Sequence, residues 1–245
     1  MRARSRAFRP LRAALFGTLA AATATLAAAQ CPDWDPGFGG SPGLGVVQAL
    51  KVFDDGTGSA LYVGGEFIQF GGIPAANVVR RNGTNWSAVG AITTMAVRAF
   101  ATHDDGSGPA LYAGGGSSAD SGGQVWRWDG AVWTQVGPTS TDSSVYALAS
   151  FDDGTGARLY AASWGQIYFP FSTYLRIKRF DGVGWTQVLS SDGAATTVCL
   201  AVHDDGLGAG PGLYVGGFFT NMTSPGGSIA ASSLVRWDGT SLTPF

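Results

Sequence analysis

The residues best suited to chemistry in this sequence are its acids, and they come in pairs. Asp54-Asp55, Asp104-Asp105, Asp152-Asp153 and Asp204-Asp205 each stand directly before a glycine. Adjacent carboxylates can hold a cation, so a calcium loop is one reading. Such a loop needs oxygen ligands at alternating positions and a late bidentate acid. These stretches run Asp-Asp-Gly and then Thr-Gly or a similar pair, which fits turn chemistry better. Aspartate bonds its own backbone two residues on, and glycine supplies positive φ without steric cost. His103 and His203 precede two of the turns, where Phe53 and Phe151 precede the others. A ring in that position is expected to lie partly buried against the turn. The two histidines stand two repeats apart, too scattered for convergent metal ligands. No metal, no cofactor and no catalytic residue is assigned.

Two further groups are candidates for binding. Glu66 is the sole glutamate of the chain, and it breaks its repeat, since Gly116, Ser163 and Phe218 stand in its place elsewhere. Residues 163–174 carry five aromatics, Trp164, Tyr168, Phe169, Phe171 and Tyr174, where the other repeats are rich in glycine. Rings presented on a loop can stack on a sugar or a peptide; the alternative is that they fill space between sheets. Glu66 and these five rings are the candidate ligand-binding set. No Gly-x-Ser-x-Gly nucleophile turn and no phosphate loop occurs. Three tripeptides match the glycosylation sequon, at Asn82, Asn85 and Asn221; with a bacterial-looking leader, no modification is expected.

The elements that position these groups repeat. The Asp-Asp-Gly turn returns at steps of 50, 48 and 52 residues, a period that means a solenoid, a propeller or an array. Before each turn runs a loosely alternating apolar stretch such as Val47 to Phe53, and after it a β-branched and aromatic one such as Leu61-Tyr62-Val63. A third stretch ends in Asn82-Gly83, Asp129-Gly130, Asp181-Gly182 or Asp238-Gly239, the strongest short hairpin signal. Three residues after each turn glycine comes Trp86, Trp133, Trp185 or Leu242, which sets the register of a fourth strand. Each repeat therefore reads as a four-stranded antiparallel meander. A lone meander cannot bury both faces, and stacking several about an axis does so. The expected fold is all-β: a propeller-type array of four four-stranded blades, at about 47–90, 96–137, 145–189 and 198–245. The tryptophans Trp86, Trp133 and Trp185 are expected to pack between neighbouring sheets.

The phrase Leu61-Tyr62-Val63-Gly64-Gly65-Glu66-Phe67, with Gly71-Gly72 after it and the Trp-Asp-Gly turns at 128–130 and 237–239, resembles Kelch-like repeats. It looks closest to the repeats of large secreted bacterial proteins of unassigned function, grouped with the galactose-oxidase-type propellers. The resemblance implies a β-propeller. The copper ligands of galactose oxidase have no match, so its oxidase chemistry is not implied. The Asp-Asp-Gly turns also resemble, more distantly, the calcium-binding loops of integrin-type propellers.

Residues 1–29 read as a signal peptide, with five arginines, an apolar segment from Ala13 to Leu26, and Ala27-Ala28-Ala29 before the cleavage point. A lipidated Cys31 is disfavoured by Gln30, where a small residue belongs. Removing the leader lowers Lys+Arg from 15 to 10 against 17 acids, a net charge near −7. That argues against nucleic acid and anionic membranes as partners. The apolar segment is short for a membrane span, so a secreted chain with no span is expected, and a monomer. Of the two remaining cysteines, Cys199 is expected as a small buried hydrophobe on an inner strand. Residues 30–46 form an N-terminal segment whose Trp34 mimics the fourth-strand tryptophan, so 32–38 is expected as a spare outer strand. The last strand, Thr240 to Phe245, is short and contains Pro244. An open, incomplete propeller with further repeats beyond this stretch is therefore expected.

The functional expectation is a secreted, non-catalytic binding or surface-interaction module for a glycan or protein ligand. The alternatives are an extracellular glycan lyase or hydrolase with a site in the central funnel, and a purely structural repeat array.

Overall fold

A computed structural model describes residues 45–117, 122–138, 143–168, 171–193, 196–206, 208 and 210–245; of 166–168, 171, 172, 192, 193, 196 and 197 it describes the backbone alone. The signal peptide, Cys31 and the spare strand at 32–38 lie outside the described residues.

The fold is all-β, a four-blade propeller array without a closed sheet. Blade 1 holds β1 (Gly45–Asp54), β2 (Ser59–Phe67), a small hairpin of β3 (Gln69–Phe70) and β4 (Ile73–Pro74), then β5 (Val78–Asn82) and β6 (Asn85–Ala88). Blade 2 is β7 (Ala96–Asp104), β8 (Pro109–Gly116), β9 (Gly123–Trp128) and β10 (Trp133–Gln135). Blade 3 is β11 (Val145–Asp152), β12 (Ala157–Tyr168), β13 (Phe171–Phe180) and β14 (Trp185–Gly193). Blade 4 is β15 (Thr196–His203), β16 (Gly212–Phe218), the hairpin β17 (Asn221–Ser224) and β18 (Gly227–Ala230), then β19 (Leu234–Trp237) and β20 (Leu242–Pro244). Each blade is the antiparallel meander expected from its turns. Blades 3 and 4 are stitched by one bridge, Ser190 of β14 to Thr223 of β17.

The first strands of the blades pack in chain order, β1 on β7, β7 on β11 and β11 on β15. Among the described residues no strand of blade 1 packs on blade 4 in this way, so the array is open. Each sheet has a face toward the preceding blade and a face toward the following one, and the pleat assigns side chains between them. On the second strand of blade 2, Leu111 and Ala113 join the core shared with blade 1, while Tyr112 joins the core shared with blade 3. The same alternation runs through every blade. Tyr62, Tyr112 and Tyr160 are fully buried between blades this way.

The fourth-strand tryptophans divide. Trp133 is buried and donates its indole N–H to the Val89 carbonyl of blade 1 at 2.8 Å. Trp185 reaches the Val136 carbonyl of blade 2 at 3.3 Å. Both seat between blades as expected. Trp86 does not: it packs on Phe70 of its own β3–β4 hairpin, with ring centroids 4.8 Å apart. The reason is positional, since among the described residues no blade precedes blade 1 and the hairpin folds over the outer part of that face.

Cys199 corrects another expectation. It lies on the first strand of blade 4, in register with Ala49, but it is exposed rather than buried. Its counterparts are covered by the next blade, and nothing among the described residues follows blade 4.

Candidate functional site

The paired acids build turns, and the two members of each pair have different tasks. Oδ1 of Asp54 accepts from the Gly56 and Gly58 amides at 2.9 and 3.0 Å. Asp104 and Asp152 repeat that geometry. The second acid faces inward. Asp55 takes the Thr57 hydroxyl at 2.6 Å, the Tyr62 hydroxyl at 2.8 Å and the Arg80 guanidinium at 2.6 Å. Asp153 takes Thr155, Tyr160 and Arg179 in the same way. Asp105 takes Ser107, Tyr112 at 3.0 Å and Arg127 at 3.0 Å. Burial pushes these carboxyls up, but the hydroxyl and amide donors and the arginine outweigh it and hold each at about 2. Burial and the facing aspartate push the Tyr62 and Tyr112 hydroxyls up to about 12. The carboxylates are thus already partnered. Among the described residues no cluster of His, Cys, Asp and Glu could hold a metal.

Sequence reasoning found the acids and missed their partners. The signal was present: in the first three repeats a tyrosine stands seven residues after the second aspartate, and an arginine lies on the third strand beside it. In the fourth repeat the turn is two residues longer, so Tyr214 comes nine after Asp205.

The histidines lie where the turn reading put them. His103 is buried edge-to-face on Tyr112, with Nδ1 2.8 Å from the Ser150 hydroxyl of blade 3. Burial pulls its pKa down. His203 lies against Tyr214 but is exposed. A cleft of about 300 Å³ opens between the turns of blades 1 and 2, lined in part by Asp54, Gly56 and Arg127. Its guanidinium is held by Asp105 and Ser107, so the cleft is a product of turn spacing.

The aromatic stretch at the other end of blade 3 is not a loop. β12 and β13 run on through it as one long hairpin, paired from Tyr160↔Arg179 to Tyr168↔Phe171. Aromatic and β-branched residues favour the extended chain, and the glycine pairs that end this strand in the sister blades are absent. The hairpin separates the predicted rings. Trp164 sits opposite Leu175 and Tyr174 opposite Gly165, so the two rings leave on opposite faces of the sheet. Tyr174 lies across Gly165 and under the Arg176 guanidinium, 4.3 Å from its ring centre. Tyr168 and Phe171 pair at the hairpin tip with only their backbone described; Phe169 lies outside the described residues. Glu66 is exposed on blade 1, paired with Val46, while the aromatic hairpin belongs to blade 3. Of the candidates whose side chains are described, Trp164 and Tyr174 thus face opposite ways and Glu66 lies on another blade.

What does form is a stack that sequence reasoning did not single out. Every first strand has a bulge near its start, after Val47, Val97, Val145 and Thr196. A bulge leaves one residue outside the ladder and re-aims its side chain. That residue is Gln48, Arg98 and Tyr146 in the first three blades. Tyr146 stacks on Trp164 with centroids 5.5 Å apart and planes at 25°. The Arg98 guanidinium sits 5.1 Å over the same tyrosine. All three side chains are half-exposed, and Arg98 Nε has no hydrogen-bond partner among the described residues. The repeat did contain a signal. Between the fixed Val and Ala of Val47-Gln48-Ala49, Val97-Arg98-Ala99 and Val145-Tyr146-Ala147, one slot changes its chemistry each time.

No protein family, curated protein or solved structure matches the chain in comparison with known proteins.

Proposed function

We propose that this chain is an exported binding module of the Kelch-like propeller kind, which recognises a glycan through the Arg98–Tyr146–Trp164 tier. The carrying observation is that stack of a guanidinium and two aromatic rings, half-exposed and crossing from blade 2 to blade 3. Ring faces and edges take the C–H surface of a sugar. A guanidinium takes its hydroxyl or carboxylate oxygens. The extended β12–β13 hairpin beside the tier is a rigid wall for a chain-like ligand.

Among the described side chains, binding is favoured over hydrolysis or elimination by where the acids lie. Asp55, Asp105 and Asp153 are committed to tyrosine and arginine in the turns after the first strands. The tier stands near the opposite end of those strands, and Glu66 belongs to another blade. A glycan lyase or hydrolase needs an acid and a base within reach of one sugar bond.

The test is a glycan-array screen of the purified chain, followed by calorimetric titration of the best binder. Trp164→Ala and Arg98→Ala are each expected to weaken binding at least tenfold, and Glu66→Gln to leave it unchanged. No glycan bound, or a bound glycan indifferent to both substitutions, refutes the reading. Export is tested separately by N-terminal sequencing of the secreted chain, expected to begin near Gln30.

A further inference from the structure

The first two contacts between successive blades use one interface, repeated. On the preceding blade, the face turned forward offers a hollow at Gly64 or Gly114. A side chain there would collide with Val97 and Phe100, or with Val145 and Leu148, of the following blade. Those valines and their neighbours are the knobs of the face turned backward. Val97 and Val145 are buried completely or nearly so, at 0% and 3% exposure.

The two outermost faces of the chain carry the unmatched halves of this same interface. Blade 1 presents the knobs with no hollow: Val47, Leu50 and Val52 are 45%, 62% and 63% exposed. Blade 4 presents the hollow with no knobs. At Gly216 an added Cβ would meet Cys199 of its own blade and almost nothing else. The residues around that hollow are correspondingly bare. Cys199, His203 and Leu234 are exposed, whereas Ala49, Phe53 and Val78, their counterparts in blade 1, are buried.

The hairpins agree. Blades 1 and 4 share one device between second and third strands, with Phe67, Phe70 and Ile73 matching Phe219, Met222 and Ile229 in place. Asn77 and Ser233 follow them, both at φ near +65°. In blade 4 this hairpin tucks into the core shared with blade 3 and pairs with its outer strand. In blade 1 it meets no preceding blade among the described residues, and Phe70 is only partly buried where Met222 is fully buried.

We propose that two copies of this chain associate head to tail, the backward face of blade 1 in one seated on the forward face of blade 4 in the other. The occupant is a second copy because the chain itself carries both complementary halves, and because two of the internal contacts show how they fit. The contact is heterologous. Two arcs that satisfy it twice close a ring, and arcs that satisfy it once extend as a string. This inference is independent of the glycan reading and replaces the monomer expected from the sequence.

Sedimentation velocity and light scattering on the purified chain test it, up to about 100 μM, where even a dissociation constant of about 10 μM leaves most chains associated. Association rising with concentration is expected. Leu50→Arg and Cys199→Arg alter residues already exposed, so folding is retained, and each is expected to weaken association at least tenfold. Mixing the two variants is the decisive arm. A head-to-tail contact leaves one intact face on each, so the mixture forms dimers and nothing larger. A back-to-back dimer through blade 1 alone ignores Cys199→Arg and overturns the proposal. In a Cys31→Ser background, Val47→Cys is expected to form an intermolecular disulfide with the native Cys199, since Val97 occupies the matching hollow at Gly64. A chain that stays monomeric throughout, or no such disulfide on oxidation, also overturns it.

Discussion

Asp153→Asn tests whether the inward acid of each turn is a structural tie. The carboxylate is nearly enclosed, at 3% side-chain exposure, and Oδ2 receives both the Tyr160 hydroxyl and the Arg179 guanidinium. Asparagine keeps the shape and the Oδ1 acceptor that binds Thr155. It turns the other position into a donor facing two donors. A charge-assisted bond is lost, about 1.5–3 kcal/mol, and buried donors are left without an acceptor. Together these give about 3–4 kcal/mol, near the low end for breaking a buried pair. Asp105 makes the same contacts, but its side chain is 39% exposed. Water screens its pair and re-solvates its partners, so Asp105→Asn is expected to cost about 1 kcal/mol or less.

Urea denaturation followed by tryptophan fluorescence measures both. The pH dependence supplies a second readout. The folded-state pKa of Asp153 is depressed to about 2 from an ordinary value of 3.8. The stabilisation it gives is therefore complete above about pH 4 and is lost as pH falls toward 2, amounting to about 2 kcal/mol by linkage. Asp153→Asn should flatten that limb of the stability curve. Equal costs for the two substitutions, or a loss under about 1 kcal/mol for Asp153→Asn, would refute the reasoning from burial.

Trp133→Ala removes a buried indole and leaves the Val89 carbonyl without its donor, and is expected to cost about 3–5 kcal/mol in the same assay. His103→Phe restores the phenyl of the sister turns. Because the folded-state pKa of His103 lies below its ordinary 6.5, protonation favours the unfolded chain as pH falls through that value, so the variant's advantage should grow from pH 7 to pH 5. Asn77 holds φ +65° and ties the Phe67 amide to the Ile92 and Met95 carbonyls. Asn77→Gly should keep the backbone and lose the ties, about 1–3 kcal/mol, and Asn77→Ala should cost more, because alanine also disfavours that φ. Gly64→Ala forces a methyl onto Val97 and Phe100 and should cost about 1–3 kcal/mol, part of which Val97→Ala recovers.

The architecture was legible because its determinants are local and repeated. A turn such as Asp129-Gly130 announces itself in two residues, and four copies at one spacing leave little choice of fold. What went unread depended on which side of a blade a residue faces and on whether another blade lies there. Trp86 and Trp133 have the same offset from their turns, yet one packs on its own hairpin and the other between sheets. Cys199 and Ala49 share a register position, yet one is bare and the other covered. The aromatic stretch was misread for a related reason. Spacing from the sister repeats predicted a loop, whereas the residues' own extended preference carried β12 and β13 onward, and the pleat sent Trp164 and Tyr174 to opposite faces.

The candidate site follows the same logic from the other side. A repeat tells which slots the fold needs, so chemistry should be sought where an otherwise constant slot is left unconstrained. Glu66 and the five rings were sought by rarity of residue type, and of those described Trp164 and Tyr174 leave on opposite faces of one sheet. The bulge slot is different, because the backbone there is fixed by the ladder on both sides while the side chain stays half-exposed at the edge of the core. Gln48, Arg98 and Tyr146 differ in chemistry at this slot; Arg98 meets Tyr146 across a blade boundary, and Tyr146 meets Trp164 within blade 3. A rigid backbone position with a free side chain is what a binding surface on a repeat scaffold requires. That is why the tier, rather than the aromatic hairpin alone, is the place where ligand specificity would be written.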